Sequence, residues 1–405
     1  MSTETVTSTT TTSPSTSKRQ KVSEFNDGRK TPSYPWLQSA TDWFKQSLNL
    51  HMSMSNVINT DIGNGNYIHE LFIENLEKDT SKDASSTKEI VLVHGYAASL
   101  GLFIDNFDSL SRIPGIKIHA IDLLGFGLSS RPKFPQFPSK TKQDIYKVED
   151  WFIDSLETWR KKRNIGKFIL MGHSFGGYLS CAYALKYNKK IIERGISSNL
   201  IEKLILISPV SPEQELLVNQ EDIVHGNEIE QDPRTRTRRL LEYMWVHNYS
   251  PFAIIRNAGP FKSKLISRWT THRFSHVYYQ DEQQFKNIHD YIYRIFNGKG
   301  SGEYALTRVL DVGAVAKLPL LDRCPEKFVK MKLPTLWLYG DKDWMNDEAG
   351  LEMTNEINDL SIKENSEKLA SFHIISNAGH HLYLDNPPEF AKIVFQFLKF
   401  KKGKV

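Results

Sequence analysis

Cysteine is scarce in this chain: of 405 residues only Cys181 and Cys324 carry a thiol. Two thiols cannot build a disulfide framework, and Cys181 falls in a helical pattern where a small buried side chain is the ordinary reading. A reducing, intracellular compartment is therefore expected rather than secretion. Long apolar runs are missing too. No stretch reaches the ~18 consecutive apolar residues of a membrane-spanning helix, so any membrane contact is expected to be peripheral. Neither sign of charge dominates, since 52 Lys plus Arg stand against 47 Asp plus Glu. That balance is too even to argue for nucleic acid. The opening MSTETVTSTTTTSPSTS has no apolar h-region and does not read as a secretory signal. With Glu4 and no Arg it also speaks against a mitochondrial transit helix, and the Lys18-Arg19-Gln20-Lys21 cluster behind it reads as part of a solvated tail.

What is present is apolar and patterned. The 40% apolar and 11% aromatic content suffices for one large core with an insertion. Residues 1–33 read as a disordered Ser/Thr-rich tail, and order is expected from Tyr34-Pro35-Trp36, with helical spacing over 36–50. A strand-like run holds Tyr67, Ile68, Leu71 and Ile73, and residues 78–88 form a polar loop. Short aliphatic runs then recur at 90–93, 116–121, 168–171, 204–207, 335–339 and 372–375, separated by helical spacing such as 144–163. Runs apolar at every position mark parallel strands covered on both faces, so the alternation predicts a doubly wound, mostly parallel sheet. It breaks once. Over about 125 residues between Pro209 and Pro334 the strand pattern vanishes, which predicts a helical cap at 210–333 inserted between core segments 34–209 and 334–405.

The chemistry is carried by Gly172-His173-Ser174-Phe175-Gly176, a G-x-S-x-G between an apolar strand and a helical pattern. Glycines at Gly172 and Gly176 permit a tight strand-to-helix turn that exposes the serine hydroxyl. A serine needs a base and a carboxylate, in the chain order Ser, Asp, His for the α/β-hydrolase fold. After the run at 335–339 comes Gly340-Asp341-Lys342-Asp343-Trp344, and after 372–375 comes Asn377-Ala378-Gly379-His380-His381. His380 is the expected base, Gly379 giving its backbone freedom to turn the ring toward Ser174, with His381 a weaker candidate. Among Asp341, Asp343 and Asp347, the G-x-x-D spacing favours Asp343 as the acid. The loop His94-Gly95-Tyr96-Ala97 offers the N–H of Tyr96 or Ala97 to form an oxyanion hole with that of Phe175. His94 reads as a loop organiser and Asp122 as part of a structural turn. No metal ligand set accompanies the histidine pair, and no cofactor is expected.

These residues, with Asn248-Tyr249-Ser250-Pro251-Phe252, Arg256, Gly259-Pro260, Ser301-Gly302-Glu303 and His380 through Asp385, resemble the subfamily of α/β-hydrolase-domain proteins four and five and their fungal relatives. The resemblance spans roughly residues 36–400. It implies a serine hydrolase acting on acyl esters of phospholipids, anionic ones such as cardiolipin being attractive, or a lysophosphatidic acid acyltransferase. One member has lost the serine and acts as a co-activator; this chain keeps Ser174. An H-x-x-x-x-D acyltransferase motif is implied at His380 and Asp385. The same Asp385-Asn386-Pro387-Pro388-Glu389 reads as a helix N-terminus.

Between Arg234 and Arg273 stand nine Lys or Arg and one acid, Glu242, among aromatic residues. A basic, aromatic face suits a peripheral protein on an anionic bilayer, and Arg234, Arg236, Arg238, Arg239, Trp245 and Arg256 are the expected contacts. An ordinary solvated helix whose aromatics pack on the core is the alternative. The expected location is mitochondrion, cytoplasm or lipid droplet, peripheral to a membrane. A non-catalytic lipid-binding regulator is the reading from another class. A peptidase would want acidic residues in the cap, and dehalogenases and epoxide hydrolases would need Asp at position 174.

Overall fold

A computed structural model of the chain describes residues 53–77, 89–188, 199–210, 243, 245, 247, 249–274, 282–311, 315–365 and 367–398. The tail at 1–33, the spacing at 36–50, the loop at 78–88 and Arg234, Arg236, Arg238 and Arg239 lie outside the described residues.

The strands are β1 (Ser53–Gly63), β2 (Asn66–Asn75), β3 (Glu89–Val93), β4 (Lys117–Ile121), β5 (Phe168–His173), β6 (Ile201–Ile207), β7 (Thr335–Gly340) and β8 (Ala370–Ile375). They form one 8-stranded sheet in the order β1-β2-β4-β3-β5-β6-β7-β8. The β1–β2 hairpin and the β2–β4 pair are antiparallel, and every pair from β4 to β8 is parallel. The helices used below are α1 (Ile104–Ser111), α2 (Lys142–Lys162), α3 (Phe175–Tyr183), α4 (Pro251–Asn257), α5 (Lys262–Arg273), α6 (Glu282–Asn297), α7 (Asp347–Asn365) and α8 (Pro387–Leu398).

Alternation of side chains along each central strand explains why the sequence runs are apolar at every position. In β3, Ile90 and Leu92 join one buried cluster with Phe107 of α1 and Val394 of α8, while Val91 and Val93 join another with Phe152 and Trp159 of α2 and Ile357 of α7. β5 repeats the division, with Leu170 on the α2 side and Ile169 and Met171 on the other. Each such side chain contributes about 1.5–3 kcal/mol by leaving water, so a polar side chain on either face needs a buried partner of its own.

α4, α5 and α6 come between β6 and β7 in the chain, and Phe252, Ile266, Ile288 and Ile292 pack in the cluster of Ile90. Ser250 caps α4 by accepting the Phe252 N–H at 3.1 Å, and its own hydroxyl donates to buried Glu303 at 2.6 Å. Arg131, from the loop after β4, fastens α6 by donating to the carbonyls of Ile295 at 3.1 Å and Lys299 at 3.0 Å. After Ser301 the chain leaves this group, and Leu306 and Val309 pack in the α2 cluster.

One charged network is buried where β2, β4 and α2 meet. His119 Nδ1 lies 2.7 Å from Glu70 Oε1 and its Nε2 3.0 Å from Glu89 Oε1. Glu70 also accepts from Trp159 Nε1 at 3.0 Å and Arg163 Nε at 2.8 Å. Burial alone would depress the imidazole, but its bonds to Glu70 and Glu89 outweigh it and raise the pKa above the ordinary histidine value. Burial would likewise raise Glu70, and His119 with Arg163 holds it below the usual range. Both ring nitrogens face carboxylates, so the folded state holds His119 as imidazolium.

A histidine raised on folding stabilises fully below its unfolded pKa of about 6.5 and loses that contribution as pH rises through the higher folded value. Glu70 acts at the opposite end, its contribution being lost as pH falls below about 4.5 toward the depressed folded value. Urea midpoints of the parent should therefore fall between neutral and alkaline pH relative to those of His119→Gln. At pH 6 the variant should be less stable by on the order of 3 kcal/mol, the cost of removing one partner from a buried ion pair. Parallel pH profiles for the two proteins would contradict this assignment.

Candidate active site

The carboxyl ends of β3, β5, β6, β7 and β8 lie side by side in the sheet, so the loops that follow them converge. β5 ends at His173 and α3 begins at Phe175, leaving Ser174 alone in the turn with φ 52° and ψ −120°. A side chain in that region costs about 1–3 kcal/mol and persists only where the surroundings fix it. Here the Ser174 N–H donates to the Ile207 carbonyl at 2.8 Å, and its carbonyl accepts from Tyr178 at 3.1 Å and Val210 at 3.3 Å. A Cβ on Gly172 would strike the Gly176 carbonyl, and one on Gly176 would strike that of His94.

Ser174 Oγ lies 3.0 Å from His380 Nε2. The other ring nitrogen, Nδ1, is 3.2 Å from Asp343 Oδ1 and 2.8 Å from Ser208 Oγ. With Nε2 placed to accept the serine proton, the imidazole hydrogen sits on Nδ1 and faces both oxygens. Burial would raise the Asp343 carboxyl, yet its contacts with His380, Ser208 and the Met345 N–H hold it below the usual carboxylate range. Hydroxyl, imidazole and ionised carboxylate in hydrogen-bonded succession form the geometry that nucleophilic acyl transfer requires.

Asp341 does a different job. Its two carboxylate oxygens accept the N–H groups of Asn377 and Ala378, each at 2.8 Å, and these bonds depress its pKa. It shapes the turn that delivers His380, which separates it from Asp343. Asp347 opens α7. The expected role of Gly379 does not hold: the left-handed residue in this turn is Asn377, at φ 54°, and a Cβ on Gly379 would meet only ordinary contacts. Ring orientation comes from tethers instead. His173 Nε2 donates to the His380 carbonyl at 2.9 Å, and Gly379 donates to Asp385 Oδ2 at 2.9 Å. Burial first, then the neighbouring His380 and His381, keep His173 far below the usual histidine pKa, so it stays neutral beside the base. His381 offers its carbonyl to Arg273 Nη2 at 3.2 Å and stacks its ring near His173.

The helix start expected at Asp385-Asn386-Pro387 is present, with Asn386 as its cap, accepting the Glu389 N–H at 3.3 Å, while Asp385 Oδ1 pairs with Arg273 Nη1 of α5 at 2.7 Å. The carboxylate therefore links the His380 loop to the inserted helices.

The loop after β3 runs against the serine, since a Cβ on Gly95 would lie 2.9 Å from Ser174 Cβ. This brings the main chain of Gly95 beside the turn that leads into α3, whose first residue, Phe175, has an N–H with no intrahelical acceptor. His94 Nδ1 donates to the Gly95 carbonyl at 2.7 Å and Nε2 accepts from the Leu123 N–H at 3.0 Å, fixing a neutral tautomer. Burial pushes its pKa down to about 4. Asp122 accepts from the Leu100 and Leu128 amides, each at 2.8 Å, and organises the same loop.

Two expected lipid contacts are spent elsewhere. Trp245 Nε1 donates to the Leu310 carbonyl at 3.0 Å with its ring packed on the core, and Arg256 is held in an ion pair by Glu303. Both are expected lipid contacts in the sequence, where the residues that engage them lie 65 and 47 positions along the chain. Sequence reasoning missed Ser208, His173 and Arg273 for the same reason. Ser208 did carry a signal, as a polar residue closing the apolar run of β6.

Asp343→Asn should lower ester turnover on the order of a thousandfold, since the amide selects the wrong tautomer, whereas Asp341→Asn should cost far less. The reverse order would transfer the role. Ser208→Ala should lower kcat about tenfold, the value of one hydrogen bond, with KM unchanged. Unaltered kcat would remove Ser208 from the site.

Comparison with known proteins agrees with this geometry. Residues 88–387 match the family described as alpha/beta hydrolase fold. A probable 1-acylglycerol-3-phosphate O-acyltransferase of Oryza sativa is 34% identical over 336 residues, covering 82% of this chain and 72% of that protein. A (lyso)-N-acylphosphatidylethanolamine lipase of Homo sapiens is 29% identical over 78% of this chain and 80% of its own length. A 1-acylglycerol-3-phosphate O-acyltransferase of Saccharomyces cerevisiae is 28% identical over 94% and 97%. In fold, the chain resembles the enol-lactonase of Burkholderia xenovorans, with a TM-score of 0.52 at 15% identity over 84% of this chain and 99% of that one. The chain belongs to the α/β-hydrolase fold family, within the subfamily of α/β-hydrolase-domain proteins four and five.

Proposed function

We propose that the protein is a serine-dependent phospholipid acyl hydrolase working through an acyl-enzyme on Ser174. The observation that carries this reading is the unbroken chain from Ser174 Oγ through His380 to Asp343. Ser174 Oγ attacks the acyl carbonyl carbon while His380 Nε2 takes the hydroxyl proton. Negative charge on the carbonyl oxygen is met by the N–H groups of Phe175 and of Tyr96 or Ala97. Collapse expels the lipid alkoxide, which leaves with the proton from His380, and water enters by the reverse steps to release the fatty acid. Asp343 and Ser208 hold the imidazole with its hydrogen on Nδ1 throughout.

A lipid substrate is supported by two observations. The relatives act on glycerophospholipids by their names. Tyr96, Phe252, Phe296 and Trp269 form a run of aromatic contacts, with centroid separations of 5.6, 5.2 and 5.5 Å, leading from the loop beside Ser174 into α4–α6. Such a wall suits an acyl chain.

A second reading, transfer of the acyl group to lysophosphatidic acid, is favoured by the names of the Oryza and Saccharomyces relatives. It uses the same acyl-enzyme with a different acceptor. Asp385, in the H-x-x-x-x-D spacing, is engaged by Gly379 and Arg273, so we assign it to holding the loop.

Purified protein given phosphatidylglycerol, cardiolipin or phosphatidylethanolamine, with and without lysophosphatidic acid, should release fatty acid or acylate the acceptor. Ser174→Ala should lose at least a thousandfold in either activity while unfolding at the parent's temperature. Equal turnover by variant and parent would end the serine mechanism, and no turnover by either would leave the lipid-binding regulator. Asp385→Asn keeps a carbonyl for Gly379 but loses the ion pair, and should depress hydrolysis and transfer in equal proportion. Selective loss of transfer would give the motif its own catalytic part.

A further inference from the structure

α5 carries two opposed faces. Ile266 and Thr270 are buried in contact with the core, while Phe261, Lys264, Leu265 and Arg268 are all exposed. The exposed four follow i, i+3, i+4, i+7 spacing from the residue preceding the helix, which aligns them in one stripe. Phe261 is 65% and Leu265 47% exposed, and the two stand one turn apart on the same stripe. The rest of the segment adds charge of one sign only. From Gly259 to Phe274 the sequence holds Lys262, Lys264, Arg268 and Arg273 and no Asp or Glu. Arg273 is engaged by Asp385, while Lys264 and Arg268 are exposed beside the two apolar side chains.

From this we infer that the stripe Phe261, Lys264, Leu265 and Arg268 is a docking face for an anionic bilayer. Apolar side chains that enter the headgroup boundary, flanked by cations that face lipid phosphate, are what such a surface selects. The absence of acidic residues in the segment removes the repulsion an anionic surface would otherwise meet. The inference builds on the lipid reading above and replaces the contacts expected at Trp245 and Arg256 with residues that are exposed. It also gives docking a direct path to the chemistry. The last residue of α5, Arg273, binds Asp385 and the His381 carbonyl, so the helix that touches lipid ends on the loop that carries His380.

The full-length protein is tested against vesicles of phosphatidylcholine alone and of phosphatidylcholine with phosphatidylglycerol, alongside the double variants Lys264→Gln/Arg268→Gln and Phe261→Gln/Leu265→Gln. The parent should sediment with anionic vesicles and much less with neutral ones, and its binding should weaken as salt rises. Loss of two surface cations should weaken anionic binding about thirtyfold, and loss of the two apolar groups about tenfold or more. All three proteins should cleave a soluble short-chain ester equally, because none of the four residues touches Ser174 or His380. A parent that does not bind anionic vesicles, or either double variant binding as tightly as the parent, overturns the proposal. Concentration-dependent self-association lost in the apolar variant, without vesicle binding, assigns the face to a second copy and overturns it as well. Ester cleavage insensitive to Ser174→Ala with normal vesicle binding would instead remove the hydrolase reading and leave the docking face standing.

Discussion

The left-handed backbone at Ser174 makes its surroundings obligatory. A residue at φ 52° and ψ −120° relaxes unless it is held, and what holds it is the contact of three loops with one another. Its N–H is fixed to the end of β6, its carbonyl to Tyr178 and Val210, and the absent side chain of Gly176 lets the His94 carbonyl close over the turn. The same packing that makes the turn possible brings the β3 loop within contact of the serine. Reactivity and architecture are thus one constraint here: a methyl group at position 176 would separate the β3 loop from α3 and dissolve both.

His380 is supplied from a less favourable place. β8 is the last strand of the sheet among the described residues, and most of its central residues are partly or fully exposed. A loop leaving such a strand would wander without cross-links. The structure provides them from four directions: His173 from β5, Asp341 from the end of β7, Asp385 from beyond the loop and Arg273 from α5. The inserted helices are therefore mechanically continuous with the His380 loop. Arg131 ties their other end to the loop after β4.

Legibility in the sequence tracked how local each signal was. β3, β5, β6 and β7 are visible because their runs are buried on both faces and apolar, and β4 and β8 through the aliphatic residues that flank His119 and His373. β1 was not read, since Ser53–Gly63 alternates polar residues on an outer strand, and only the Gly63-Asn64-Gly65 turn hinted at its hairpin with β2. Of the candidate site, Ser174, His380 and Asp343 were legible because each follows a strand within a motif. Ser208 and Arg273 belong to no motif and His173 fills a variable position of one, and their partners lie 172, 108 and 207 positions away. The same non-local reach misled the reading of Arg256, whose charge Glu303 satisfies 47 positions on.

The cross-links around His380 share a feature that bears on how this enzyme family can vary. His173 holds the carbonyl of His380, Arg273 the carbonyl of His381, and Asp341 and Asp385 the N–H groups of Asn377, Ala378 and Gly379. Every one of them grips the main chain. A loop clamped by its peptide groups depends less on its own side chains, and at position 379, where an added Cβ would meet only ordinary contacts, substitution leaves the imidazole in place, while Ala378 is wholly buried and His381 packs its ring beside His173. Tolerance at that glycine would be the mark of a backbone held from outside.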